Sequence, residues 1–242
     1  MLHGEQRGLF DLSFAIPAEC ADRLESGLAD IGIVPAVELN RQKLAIIRGA
    51  GIACHGPVRS IFLISKVPFG EIRKLAADST SRTSVALSRV LLARKYGVEP
   101  EVQSLKPHLS AMLENNDAAL IIGDAALMLE PSELPFHVLD LGAEWVAMTG
   151  LPMVFAVWAA RAALPPQDPK PFLDSMRFGL DHIDDIARSE HAKIGVSEEL
   201  ARTYLENNIV FELGEREYAG LDLYLRYAAE LESRVEGRKV SA

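Results

Sequence analysis

The sequence is short of several features that mark particular classes of protein. Its 242 residues include two cysteines, Cys20 and Cys54, too few for a disulfide framework and in no metal-binding or redox spacing. No apolar run approaches the roughly 18 residues that suggest a membrane span. Residues 1–5 show neither the basic nor the apolar segment of a signal peptide. We therefore expect a protein of the reducing cytoplasm.

Positive charge is scarce relative to negative charge. Lys and Arg total 25 against 34 Asp and Glu, which gives a formal net charge of −9. Such a chain has no overall attraction for nucleic acid or for an anionic membrane. An anionic ligand would therefore need a local electropositive pocket. Apolar residues make up 49% of the chain, enough for a real core in one large domain or two small ones.

Short apolar runs alternate with amphipathic stretches along the chain. This pattern predicts an α/β fold with a mostly parallel sheet. The predicted strands are 13–16, 30–34, 44–47, 61–65, 101–104, 118–122, 138–140 and 153–158, with glycines between the third and fourth. The predicted helices are 17–27, 84–96, 109–114, 172–187, 197–205 and one around 221–231.

The segment 54–60 joins two predicted strands and carries several polar groups. Gly56 lets backbone N–H groups approach a ligand closely, while Arg59 adds a charge and Ser60 a hydroxyl. From these residues alone, a purely structural loop is favoured over a ligand-binding loop.

Five hydroxyl residues and one arginine stand immediately before the clearest predicted helix. A helix N-terminus has unpaired N–H groups and the positive end of the dipole, which suit an anion. One Ser or Thr is enough for the N-cap, so the excess leaves anion binding and a purely structural role equally open. The residues are Ser79, Thr80, Ser81, Arg82, Thr83 and Ser84.

Two further turns follow or precede buried strands. Gly123-Asp124 ends one strand, which puts a carboxylate at the edge where open α/β sheets bind ligands. A helix-capping role for Asp124 is the alternative. Thr149-Gly150 begins a turn before an apolar strand, and a structural turn is favoured there.

Taken together, three segments resemble the signature blocks of the chorismate dehydratase family, which opens the futalosine route to menaquinone. Two shorter segments fit the same family, and all stand in the family's order over most of the chain. The blocks are 79–87 (STSRTSVAL), 122–127 (IGDAAL) and 149–158 (TGLPMVFAVW), with 56–60 (GPVRS) and 30–34 (DIGIV).

The resemblance implies a two-lobed, periplasmic-binding-protein-like (type II) fold with the site between the lobes. We expect a larger lobe of residues 1–65 and 153–242, with the C-terminal helices, and a smaller lobe of residues 66–152. Family members usually begin with a strand and a loop of the type Tyr-Leu-Asn-x-x-Pro-Leu. This sequence starts after that block, so we expect the N-terminal strand to be missing.

The resemblance also implies a reaction, in which chorismate loses water to give 3-[(1-carboxyvinyl)oxy]benzoate without a metal or organic cofactor. Chorismate carries two carboxylates, and the two polar segments suit one each. We expect Ser60 and Asp124 to be catalytic. Because no histidine is a convincing base, the substrate's own enolpyruvyl carboxylate is expected to take the proton, with Asp124 as base or helper of the leaving hydroxyl as the alternative. The expected substrate-binding residues are Gly56, Ser60, Ser81, Arg82, Thr83, Ser84 and Thr149.

Other functions stay open on the sequence. A non-catalytic binding protein for a small carboxylate would share the fold, but would normally carry an export signal. The sibling enzyme of the same pathway, which forms dihydroxynaphthoate, would place a histidine in the cleft. A ligand-sensing regulator would need a DNA-binding segment. The oligomeric state is not predicted by any feature of the sequence.

Overall fold

The computed structural model describes residues 1, 3–78, 81–165 and 167–240, with side chains described through residue 234. These residues form two separate sheets surrounded by helices. The strands are β1 (Ile31–Pro35), β2 (Leu44–Cys54), β3 (Ile61–Ser65), β4 (Lys74–Ala77), β5 (Glu101–Ser104), β6 (Ala118–Ile122), β7 (His137–Asp140), β8 (Met153–Arg161) and β9 (Val210–Glu212). The α-helices are α1 (Pro17–Glu25), α2 (Arg82–Lys95), α3 (Leu109–Glu114), α4 (Asp124–Leu127), α5 (Leu141–Thr149), α6 (Lys170–Leu180), α7 (Ile183–Ile194), α8 (Glu198–Thr203) and α9 (Glu215–Val240).

The first sheet is antiparallel and the second is mixed, which corrects the expectation of mostly parallel strands. The first sheet has the order β1-β8-β2-β9, and each of its pairings is antiparallel. The second has the order β5-β4-β6-β3-β7, in which β4 is parallel to β5 and β6, while β3 is antiparallel to β6 and β7. Apolar runs indicate that a strand is buried, but they carry no information about the direction of its neighbours. The antiparallel strands include β3 and β8. Each is the first strand that the chain forms after it passes from one sheet to the other.

The chain passes from the first sheet to the second between Cys54 and Ile61, and it returns between β7 and β8. Strand pairing therefore puts residues 61–65 in the second sheet. The prediction from the sequence had placed them at the end of the larger lobe. The division into lobes of 1–65 with 153–242 and of 66–152 stays a prediction.

Residues 13–16 do not form the predicted strand. They have no ladder partner among the described residues and lead directly into α1, with Phe14 75% exposed and Ile16 52% exposed. An extended segment is stable as a strand only when a neighbour pairs with its backbone N–H and C=O groups. Local apolar alternation predicted the extended shape but could not supply that neighbour.

Strand β2 is longer than predicted because it continues through its glycines to Cys54. Gly49 has a φ of +101°, and the register against β8 shifts between Ile46 and Gly51, as in a β-bulge. A Cβ on Gly51 would lie 2.7 Å from the carbonyl oxygen of Ala156. These glycines therefore permit a bulge and close strand packing. The prediction from the sequence had placed them in a connection between strands.

Helices α1, α2, α3 and α8 lie where the sequence predicts helices, whereas α4 and α5 were not predicted and α9 extends beyond the predicted 221–231 at both ends. The remaining difference lies near residue 181. The predicted helix over 172–187 is divided into α6 and α7, because His182 has a φ of −122° and a ψ of 22° and so leaves the helical conformation. Within the described part of the chain, no helix has both the length and the apolar character needed to cross a membrane.

One hydrophobic cluster connects the two sheets. It includes Leu63 of β3, Leu87 of α2, Trp145 of α5 and Tyr224 of α9. The indole N–H of Trp145 donates to the carbonyl oxygen of Pro152 at 3.1 Å, and its ring meets that of Tyr224 edge-on at 6.0 Å. Helix α9 thereby buries its apolar side against elements of both halves of the molecule.

Asp117 fastens the beginning of β4 to the beginning of β6, and its charge matters to stability. Its carboxylate accepts the backbone N–H groups of Arg73 and Lys74, both at 2.9 Å. Those bonds, with nearby cations, hold the pKa of the carboxyl below its ordinary value. We expect Asp117→Ala to lower the free energy of unfolding by about 1–2 kcal/mol at neutral pH.

The pH dependence of that loss follows from the direction of the pKa shift. A pKa lowered by folding stabilises the folded state above the unfolded value of about 4, and this contribution disappears as the pH falls through the folded value. Urea denaturation at neutral and acid pH is therefore expected to show wild type and Asp117→Ala converging in acid. A difference between them that does not change with pH would contradict this role of the charge.

Candidate functional site

The loop between β2 and β3 is held in shape by Asp140 at the end of β7. Its carboxylate accepts the backbone N–H of Val58 at 3.0 Å and that of Arg59 at 2.7 Å, and it also caps α5 through Ala143. Arg59 has a φ of +65°, a region that non-glycine residues rarely adopt. Its guanidinium donates to the carbonyl oxygens of Ala126 and Leu129, so its charge is used to hold α4.

Ser60 is the last residue of this loop and is 5% exposed. Its carbonyl oxygen accepts the N–H of Gly123 at 2.8 Å, across the start of β3 and the end of β6. Its hydroxyl oxygen accepts a hydrogen bond from the hydroxyl of Tyr204 at 3.0 Å. The side chain of Asn208 donates to the carbonyl oxygen of Pro57 at 3.0 Å. The loop is therefore connected both to the second sheet and to the segment that follows α8.

The predicted anion site is the beginning of α2. Ser81 is its N-cap residue but does not cap it through its side chain, because its hydroxyl donates to the Ser84 hydroxyl at 2.8 Å. Thr83 and Ser84 are buried, and the Thr83 hydroxyl accepts the N–H of Val37 at 3.3 Å. Ser79 and Thr80 lie outside the described residues.

Arg82 faces carboxylates of the chain itself. Its guanidinium lies 2.7 Å from Asp22 and 3.2 Å from Glu38, whose side chain is 2% exposed. The hydrogen bond to Asp22 is the main reason why the pKa of Arg82 is raised, although burial opposes the shift. A ligand carboxylate would share Arg82 with these two groups, so its proposed role in binding stays a prediction.

Replacing Arg82 separates its structural role from its predicted role in binding. Arg82→Ala leaves the buried Glu38 with Gln42 at 3.1 Å and Arg41 at 3.6 Å, so we expect about 2 kcal/mol less stability in thermal and urea unfolding. If Arg82 also binds a ligand carboxylate, chorismate affinity measured by calorimetry falls by about 2 kcal/mol or more.

The matched control for Arg82 is Asp22→Ala. It removes the exposed partner and is expected to change stability by less than about 1 kcal/mol. Unchanged affinity in Arg82→Ala would remove Arg82 from the site, and unchanged stability would show that its ion pairs contribute nothing.

Gly56 and Thr149 differ in how firmly the structure fixes them. A Cβ on Gly56 would meet no atom within 4 Å, so the loop is open to solvent or ligand there. The Thr149 hydroxyl donates to the carbonyl oxygen of Trp145 at 2.8 Å and accepts the N–H of Leu151 at 3.2 Å. These bonds close the turn after α5. Binding of a ligand by either residue stays a prediction.

The structure brings Ser60, Asp124 and the beginning of α2 to one edge of the second sheet. In β6 and the parallel β4, Leu120 lies opposite Ala77, so both strands end at this edge. Strand β3 is antiparallel to β6 and pairs Ile61 with Ile122, so it begins there. Asp124 is exposed and starts α4. Hydrogen-bond donors and a carboxylate are thus gathered from three separate segments of the chain.

The structure also contains an apolar cavity, which lies elsewhere. A cavity of about 340 Å³ separates the first sheet from α6 and α7, and its walls include Trp158, Phe172 and Met176. Ser60, Asp124 and the first residues of α2 are not among its lining residues. Its apolar walls do not suit a doubly charged ligand.

Sequence reasoning missed three residues of this edge: Asp140, Tyr204 and Asn208. Asp140 carried a usable signal, since an aspartate directly before a helix is a typical N-cap. Tyr204 and Asn208 carried none, because they lie 144 and 151 positions from their partners Ser60 and Pro57.

Comparison with known proteins decides the family. A family model described as menaquinone biosynthesis matches residues 3–230. The chain belongs to this menaquinone biosynthesis family. A curated member, the chorismate dehydratase of Thermus thermophilus, is 31% identical over 236 residues, which cover 89% of this chain and 85% of that one. The resemblance found in the sequence blocks is thereby confirmed.

Solved structures agree on the fold of this family member. A protein of Archaeoglobus fulgidus superposes with a TM-score of 0.68 at 19% identity, covering 91% of this chain and 85% of that one. The periplasmic aliphatic sulphonate binding protein of Escherichia coli gives a TM-score of 0.55 at 15% identity, over 92% and 76% of the chains. A Candida albicans protein of the generic periplasmic binding protein fold gives 0.53 at 12%, over 86% and 76%. The predicted periplasmic-binding-protein-like fold is confirmed.

Proposed function

We propose that the chain is a chorismate dehydratase, a hydro-lyase that converts chorismate to 3-[(1-carboxyvinyl)oxy]benzoate and water. The observation that carries this proposal is the 31% identity, over 89% of the chain, to a chorismate dehydratase. The geometry of the polar edge of the second sheet supports it.

The charge of chorismate suits the two groups of donors at this edge. The beginning of α2 offers backbone N–H groups that the Ser81 side chain does not cap, and they suit one carboxylate. The Ser60 hydroxyl, with Gly56 beside open space, suits the other. Oriented N–H groups and hydroxyls allow a chain of net charge −9 to bind a dianion without an excess of cations.

The chemistry asks mainly for orientation. The proton at C3 and the hydroxyl at C4 leave together as water, and the electron pair of the C3–H bond completes the aromatic ring. Because aromaticity supplies much of the driving force, the protein mainly has to fix the substrate and exclude water. We propose that the enolpyruvyl carboxylate, held by Ser60, takes the C3 proton and passes it to the departing C4 hydroxyl, which leaves as water. Asp124 at the same edge would assist the leaving hydroxyl or serve as the base instead.

The decisive experiment incubates the purified chain with chorismate and follows ultraviolet absorbance and product mass. We expect chorismate to disappear as the aromatic product accumulates. Binding of chorismate by calorimetry without turnover would favour a carboxylate-binding protein. If the chain neither binds nor converts chorismate, the proposal is overturned. We further propose a cytoplasmic location, in keeping with two cysteines that are both free.

A further inference from the structure

Tyr204 makes a side-chain contact with Ser60 that the proposed chemistry has not used. Its hydroxyl donates to the Ser60 hydroxyl oxygen at 3.0 Å, from the opposite end of the chain. The ring is partly buried, and burial, with Asp124 and Cys54 nearby, raises the pKa of the phenol. Tyr204 therefore stays protonated at neutral pH and remains a hydrogen-bond donor.

The backbone around Tyr204 has an unusual form. Residues Tyr204–Asn208 form a π-helical turn, closed by the bond from the Ile209 N–H to the Tyr204 carbonyl oxygen at 3.2 Å. Such turns are rare in proteins, and those that occur often lie at functional sites. Both ends of this one reach the loop between β2 and β3, since Asn208 holds the carbonyl oxygen of Pro57 at 3.0 Å while Tyr204 holds Ser60.

We propose that Tyr204 is a positioning residue that sets the direction of the Ser60 hydroxyl toward the carboxylate of the bound substrate. A free serine hydroxyl rotates and both donates and accepts. Once the Ser60 oxygen accepts from Tyr204, its own hydrogen is directed away from that bond and becomes a stronger donor through hydrogen-bond cooperativity. This inference rests on the proposed function, because it assigns Ser60 to the enolpyruvyl carboxylate.

A double-mutant cycle on chorismate turnover tests the inference. Tyr204→Phe removes the hydroxyl and keeps the ring, and we expect it to lower kcat/KM about tenfold while the melting temperature stays close to that of wild type. In the Ser60→Ala background the same change is expected to have no further effect, because the group through which Tyr204 acts is gone. A merely structural role would lower activity equally in both backgrounds, and that result would overturn the inference.

Two further variants keep the result interpretable. Tyr96→Phe also removes a bonded phenol hydroxyl, one that donates to Glu144 at 2.6 Å, and it is expected to leave kcat/KM within about twofold of wild type. Asn208→Ala removes the hydrogen bond to the carbonyl oxygen of Pro57. Like Tyr204→Phe, it is expected to lower kcat/KM. Full activity in both Tyr204→Phe and Asn208→Ala would overturn the inference independently of the cycle.

The failure of the proposed function would be recognised separately. Wild type that binds chorismate but does not turn it over would refute the dehydratase, and the same cycle would then be measured by calorimetric affinity. Coupled losses of affinity would still support the contact, whereas additive losses would refute it. Wild type that neither binds nor converts chorismate would refute both.

Discussion

Replacing Ser60 with alanine is expected to lower chorismate turnover about a hundredfold while the fold survives. The lost hydroxyl holds the enolpyruvyl carboxylate near the C3 proton in the proposed mechanism, and a misplacement of about 1 Å can cost about a hundredfold in rate. The contact between the Ser60 carbonyl oxygen and the Gly123 N–H does not involve the side chain and remains. Turnover by absorbance and unfolding by circular dichroism measure the two effects.

The matched control is Ser65→Ala at the other end of β3. Ser65 is also buried, and its hydroxyl donates to the carbonyl oxygen of Val67 at 2.7 Å, away from the polar edge. This variant is expected to lose about 1 kcal/mol of stability and to retain turnover. Full activity in Ser60→Ala would remove Ser60 from the site.

The same mechanism makes no histidine indispensable. His55 lies next to Gly56, and its Nε2 is 2.6 Å from a carboxylate oxygen of Glu217 on α9. If the substrate carboxylate is the base, no single His→Ala change abolishes turnover, His55→Ala included. A histidine variant that folds and binds chorismate without converting it would refute substrate-assisted proton transfer and favour a histidine base.

Gly220→Ala is expected to cause the largest loss of stability. Gly220 of α9 packs directly against Pro152, and a Cβ there would lie 2.1 Å from the carbonyl oxygen of Pro152. The same oxygen accepts the indole N–H of Trp145, so it cannot move away without breaking that bond. We expect about 3 kcal/mol less stability, the upper end for overpacking, and a melting temperature lower by about 10 °C.

Gly179→Ala is the matched control for that substitution. Gly179 lies within α6, and a Cβ there would meet no atom within 4 Å. Because alanine is the better helix former, this variant is expected to be as stable as wild type or up to about 1 kcal/mol more stable. A melting temperature of Gly220→Ala equal to that of wild type would contradict the close contact between α9 and Pro152.

Local patterns in the sequence were sufficient for most individual elements. The bounds of β3, β5, β6 and α3 match the prediction, and α2 begins two residues earlier than predicted. These elements are fixed by apolar runs, by helical spacing and by glycine, all of which act within a few neighbouring residues. The family blocks, which are also local, identified the family and through it the fold and the proposed reaction.

Only the tertiary structure decided which strands pair and which polar groups meet. It showed that β3 and β8 are antiparallel to their neighbours, and that residues 13–16 have no pairing strand in the part of the chain that the structure describes. It showed that Arg82 donates to the carboxylate of Asp22, 60 positions away. It also showed that Ser60 accepts from the hydroxyl of Tyr204, 144 positions away. A local pattern determines whether a residue is buried or lies at a helix end. The direction of a neighbouring strand and the partner of a charge depend on segments that meet only when the whole chain folds.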